Sequence, residues 1–147
     1  MSLENLSKIR LLEAHKTDAK QLGKLLLSVE SSILDSLETT ISNQTRMNAA
    51  YLAITQLCMA ALWANGYRPS RNRPGHHQTM IQSLVHTVGL DADRVRLLDT
   101  FRVKRNAIDY TGDDVDPASV DACVEAVHDL RDHVMAWLRV NCPELID

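Results

Sequence analysis

Aromatic residues are scarce in this 147-residue sequence, which holds two Trp, three Tyr and a single Phe. Leu, Ala, Val and Met are abundant instead, a balance that favours aliphatic helix packing over a β-sandwich or barrel. Cysteine is equally sparse. Cys58, Cys123 and Cys142 stand in no CxxC or CxxxC spacing, and any pairing leaves one thiol over. That excludes a disulfide scaffold and points to free thiols in a reducing cytoplasm. Glu4, Lys8, Arg10 and Glu13 interrupt the amino terminus, so the apolar core of a signal peptide is missing. No run approaches the roughly 18 apolar residues of a membrane span; the most apolar stretch, 51–64, is broken by Thr55 and Gln56. Neither sign of charge dominates: 16 Lys and Arg against 19 Asp and Glu give −3, which excludes a uniformly basic nucleic-acid binder. What remains is a globular chain, 45% apolar, long enough to bury about 70% of its unfolded surface in one domain.

Punctuation divides that chain into helical pieces. Residues 1–17 read as a polar, extended N-terminal arm, and 18–147 as a single helical domain. From about Asp18 to Thr40, Leu22, Leu25, Leu26, Val29, Ile33, Leu34 and Leu37 recur at spacings of three and four, one amphipathic stripe. After the polar joint 42–45, Met47, Ala50, Tyr51, Ile54, Leu57, Cys58, Ala61 and Leu62 form a second stripe ending at Asn65-Gly66. Residues 68–75 carry two prolines and read as a loop. A short helix follows over about 76–88. Asp91 caps a helix to about Tyr110, and Asp116-Pro117 starts a last helix that stops before Pro143. No strand alternation is visible. The expected fold is all-α, an up-and-down bundle of four long helices and one short one.

Within the fourth helix the apolar line runs Leu98, Phe101, Arg105, Ile108, so an arginine occupies a seam position. A buried guanidinium must be paired, lie at a subunit interface, or face a wet groove meant for an anion. Pairing with Asp109, four residues on, is the purely structural option. Arg102, Lys104, Asn106 and Tyr110 cluster around the same turns. A second basic constellation spans 68–88, with Arg68, Arg71, Arg73, His76, His77 and His86 and no acid. Over 68–105 eight Lys and Arg face Asp91, Asp93 and Asp99, a net +5, leaving −8 elsewhere. This segment reads as a phosphate-attracting surface or, in the plainer alternative, as solvated loop residues. His76 and His77 point about 100° apart on a helix and have no third ligand at helical spacing, so no metal or other cofactor is expected. Residues 109–132 hold eight acids against Arg131 alone and read as an acidic outer face.

The run Arg105-Asn106-Ala107-Ile108-Asp109-Tyr110, preceded by Phe101-Arg-Val-Lys and followed by Thr111-Gly112, resembles the signature turn of HEPN-domain proteins. Ala49-Ala50-Tyr51, Gly66-Tyr67-Arg68-Pro69 and Gly75-His76-His77-Gln78 extend the likeness over about 18–140. It implies a helical homodimer. Many members of that superfamily are ribonucleases of toxin–antitoxin and defence systems, with an arginine that steadies phosphate charge and a histidine that handles protons. Arg105 matches the arginine and Asn106 its polar neighbour, but Tyr110 stands where the histidine would be. A phenol titrating near 10 is a poor base at neutral pH. The leading expectation is therefore a cytoplasmic homodimer that binds RNA or a nucleotide through Arg105, Asn106, Tyr110, Arg102, Lys104 and the 68–77 loop, with weak or absent catalysis. Two alternatives stand beside it: a metal-independent endoribonuclease toxin, and an adaptor for a nucleotidyltransferase or antitoxin protein.

Overall fold

A computed structural model describes residues 2–71 and 75–146. In chain order the elements are α1 (Leu3–Lys8), β1 (Leu12–Ala14), α2 (Ala19–Leu37), α3 (Asn43–Ala64), β2 (Tyr67–Pro69), α4 (His76–Thr87), α5 (Ala92–Thr111), α6 (Pro117–Asn141) and a final 3₁₀ turn, Pro143–Leu145. The class is all-α, a helical bundle of four long helices, a shorter α4 and the six-residue α1. Local chemistry sets the long helices' starts. Asp18, Ser42, Asp91 and Asp116 each sit in extended backbone and accept the amide three residues on, at 2.8 to 3.1 Å. Pro117 follows its cap at the position where a missing N–H costs nothing. Gly112, at φ +69°, closes α5 in the left-handed conformation that a side chain would strain.

Helix α3 is the centre of the bundle. It packs against α2, α6, α4 and α5, and Ala50, Ala53, Ile54, Leu57, Cys58, Ala60, Ala61 and Leu62 are all fully buried. Burial covers most of its circumference, leaving a narrow stripe through Asn48, Leu52, Gln56, Met59 and Trp63 exposed or half-buried, so it is a core helix rather than an amphipathic one. For the same reason it is, contrary to the sequence reading, long and apolar enough to cross a bilayer, with a mean hydropathy of 1.3. Its neighbours are protein: 56% of that apolar window is buried inside the fold.

Four expectations are corrected. Leu34 and Leu37 of α2 do not join the core; they are 68% and 45% exposed. Ser32 and Ser36 take the buried places beside Ile33, satisfying their hydroxyls on Gln56 Oε1 and on the Ile33 carbonyl. Second, α3 begins at Asn43, so most of the polar joint is helical and only Ser42 stays outside as its cap. Third, strands exist. β1 pairs antiparallel with β2, in the register Leu12 to Pro69, Glu13 to Arg68 and Ala14 to Tyr67. Three-residue strands are too short to display an alternation, and β2 lies inside the segment read as a loop. With this pairing the reading of 1–17 as an extended polar arm falls too: Leu3–Lys8 is helical, and Leu6 and Leu12 are buried in the common core, which fastens the segment before α2 to the bundle.

Candidate functional site

The start of α4 and the middle of α5 face each other over α3, and the side chains between them build the site. Gly75, in the left-handed conformation, turns the chain into α4 without a side-chain cap for its first amides. His76 and His77 follow, their rings edge to face with centroids 4.7 Å apart. With Gly75, Gln78, Arg102 and Asn106 they line a hollow of about 200 Å³. Beneath it lies Tyr51 of α3, a core residue whose hydroxyl is 3.3 Å from His77 Nδ1.

Arg105 completes this arrangement. Its guanidinium carbon sits 5.0 Å from the centre of the Tyr51 ring, within cation–π range, and its Nε donates to Asn48 Oδ1 at 3.4 Å. No carboxylate lies within ion-pair distance among the described residues, and the pairing with Asp109 considered above is not formed. The other basic residues of α5 differ. Arg94 is bridged to Asp91 and Asp129, Arg96 to Asp93, Arg102 to Asp99, and Lys104 to Asp116 at 3.2 Å. Arg68 faces Glu13 across the strand pair at 3.2 Å. Five cations of the +5 segment are thus paired within the molecule, partly by the Asp116 cap and Asp129 of α6, whereas Arg71 and Arg105 have no carboxylate partner among the described residues.

Electrostatics follow from this packing. Burial pushes the Tyr51 phenol up to about 12, against the pull of the Arg105 cation, so it stays a protonated donor or acceptor at any ordinary pH. Burial also lowers the His77 pKa, and His76, Arg105 and Arg102 push the same way. His77 is therefore held neutral beside two guanidinium groups. Arg102 keeps its charge firmly through its paired contacts with Asp99, at 2.7 and 3.3 Å.

The structure thus brings Arg102, Arg105, Asn106, His76 and His77 together. Tyr110 does not join them: it is 92% exposed, five residues and about 140° around the helix from Arg105. Lys104 turns toward the start of α6, where it bonds Asp116 and the Ser119 hydroxyl. The Ser119 hydroxyl, Lys104 and the Ser119 amide hold the Asp116 carboxyl at about 2. Arg68, Arg71 and His76 line a neighbouring hollow, and Arg73 lies outside the described residues. Tyr51 and Asn48 are the site residues that sequence reasoning missed. Tyr51 looked like one more member of an apolar stripe, and only its hydroxyl set it apart. No group of three His, Cys, Asp or Glu among the described residues could hold a metal ion. Compared with protein families, curated proteins and solved structures, the chain matches none.

Proposed function

We propose that this chain is a HEPN-like cytoplasmic protein that binds a phosphate-bearing ligand, RNA or a nucleotide, in the cleft between α4 and α5, with little or no catalysis. The observation that carries this reading is Arg105: a half-buried guanidinium without a carboxylate, fixed on the ring of Tyr51, whose hydroxyl meets His77 of a hollow that also presents Arg102, Asn106 and His76. Orienting a cation by stacking leaves its N–H fork open to phosphate oxygens. The test is binding of a short single-stranded RNA at several salt concentrations. Arg105→Ala should weaken it about tenfold or more and flatten its salt dependence; unchanged affinity refutes the assignment.

A second reading, metal-independent RNA cleavage, draws support from His77. It places a neutral imidazole beside Arg105 and so offers from α4 the proton-handling group that Tyr110 cannot supply. Cleavage in the presence of a chelator that vanishes in both His77→Ala and Arg105→Ala would select this reading. We also propose a homodimer formed through α5. Val103, Ala107 and Tyr110 lie along one face of that helix and are exposed, Val103 by 53%. Covering them with the same face of a second copy gives the self-complementary contact of a two-fold interface.

A further inference from the structure

Beside the Arg105 cleft lies a second hollow of about 330 Å³, with Met59, Trp63 and Pro69 as apolar walls and His15, Arg71 and His76 as polar ones. His76 lines both hollows, so they adjoin at its imidazole. The second hollow exists because β1 pairs with β2. The His15 amide donates to the Gly66 carbonyl at 2.9 Å, and the His15 ring then lies against Trp63 with centroids 5.0 Å apart and planes 35° from parallel. The result is a half-buried aromatic pair at the end of α3. His15 Nε2 is screened from water and has no hydrogen-bond partner among the described residues, an unmet polar atom beside an otherwise apolar wall. Arg71 stands exposed at the rim with no carboxylate partner among the described residues.

We propose that this hollow is a base subsite: it takes the purine or pyrimidine ring of a nucleotide whose phosphate lies against Arg105, Arg102 and His77 on the far side of His76. The inference rests on the phosphate-binding reading above and adds where the base of that nucleotide lies and which residues receive it. The volume lies at the small end of the range for small-molecule sites, enough for a nucleoside and too little for a folded partner. Apolar walls and an indole suit the faces of a planar heteroaromatic ring, and polar groups at the rim suit its nitrogen and oxygen edge. An aliphatic phosphate ester would leave the aromatic pair unused.

The experiment compares AMP with ribose 5-phosphate, which carries the phosphate and sugar without a base. It uses the full chain and, for fluorescence, a Trp137→Phe variant in which Trp63 is the only indole. AMP should quench Trp63 emission and bind about tenfold more tightly than ribose 5-phosphate. Trp63→Leu should abolish that preference while leaving ribose 5-phosphate affinity unchanged, and Trp63→Phe, which keeps a ring in place, should retain it. Arg105→Ala should weaken both ligands alike. Equal affinities with no change in Trp63 emission overturn the base subsite and leave the phosphate site standing, whereas failure of both ligands to bind overturns the two together. Should Trp63→Leu not fold, the affinity ratio and the quenching in chains that keep Trp63 decide the matter.

Discussion

The Arg105 guanidinium lies over the Tyr51 ring, 5.0 Å from its centre, although the two residues belong to different helices. Tyr51 passes the connection on, because its hydroxyl meets His77 Nδ1 at 3.3 Å. Three residues far apart in the chain therefore form one polar unit at the edge of the core.

Replacing Arg105 by Lys keeps the charge but loses the planar fork and its stacking on Tyr51. RNA affinity should fall several-fold in Arg105→Lys and further in Arg105→Ala. Chemical denaturation should show stability within about 1 kcal/mol of the parent, since the cation–π contact of a half-exposed side chain contributes about that much. Full affinity in the lysine variant would show that charge alone suffices.

Tyr51→Phe removes the hydroxyl and leaves the ring beneath Arg105. The loss of one partly buried hydrogen bond should cost about 1 kcal/mol in urea midpoint measurements. It should also free His77 to rotate, seen as averaging of its imidazole resonances in NMR spectra.

His77 should titrate below the ordinary histidine value near 6.5 in a pH series followed by NMR. The unfolded chain then binds the proton first as pH falls, so the stability associated with this group is complete above about 6.5 and is lost as pH drops through the folded pKa. Binding should respond in the opposite sense. A phosphodiester backbone keeps its charge as His77 titrates, so RNA affinity should rise as His77 becomes cationic; affinity that stays flat while NMR shows His77 gaining its proton would remove His77 from the site.

Tyr110→Phe should leave RNA binding unchanged, because the side chain is remote from the hollow. By contrast, Tyr110→Asp should weaken self-association by placing two like charges near a two-fold axis. Light scattering at micromolar concentration distinguishes a dimeric parent from a variant shifted toward monomer, and a parent that is already monomeric removes the α5 interface.

Leu12→Ala tests the segment before α2. Leu12 is 2% exposed, and truncating such a side chain typically costs 2 to 5 kcal/mol. Because β1 also positions His15 against Trp63, the same change should diminish AMP quenching of Trp63 before the bundle itself unfolds.

The sequence by itself determined the four long helices, the short one at 76–88 and their limits to within a few residues, but not α1. The signals are local: apolar residues recur every three or four positions, and Asp91 and Asp116 accept amides only three residues away. It also identified Arg105 as an exception within an apolar line. Tertiary structure decided which cations are left without an acid, because the bridges from Lys104 to Asp116 and from Arg94 to Asp129 join different helices. It likewise decided that His77, rather than Tyr110, accompanies Arg105, and that His15 meets Trp63 through a three-residue strand pair. Periodicity shows which side of a helix faces inward, but it carries no information about which residues 20 to 60 positions away lie opposite. That is set when α2, α4, α5 and α6 pack around α3.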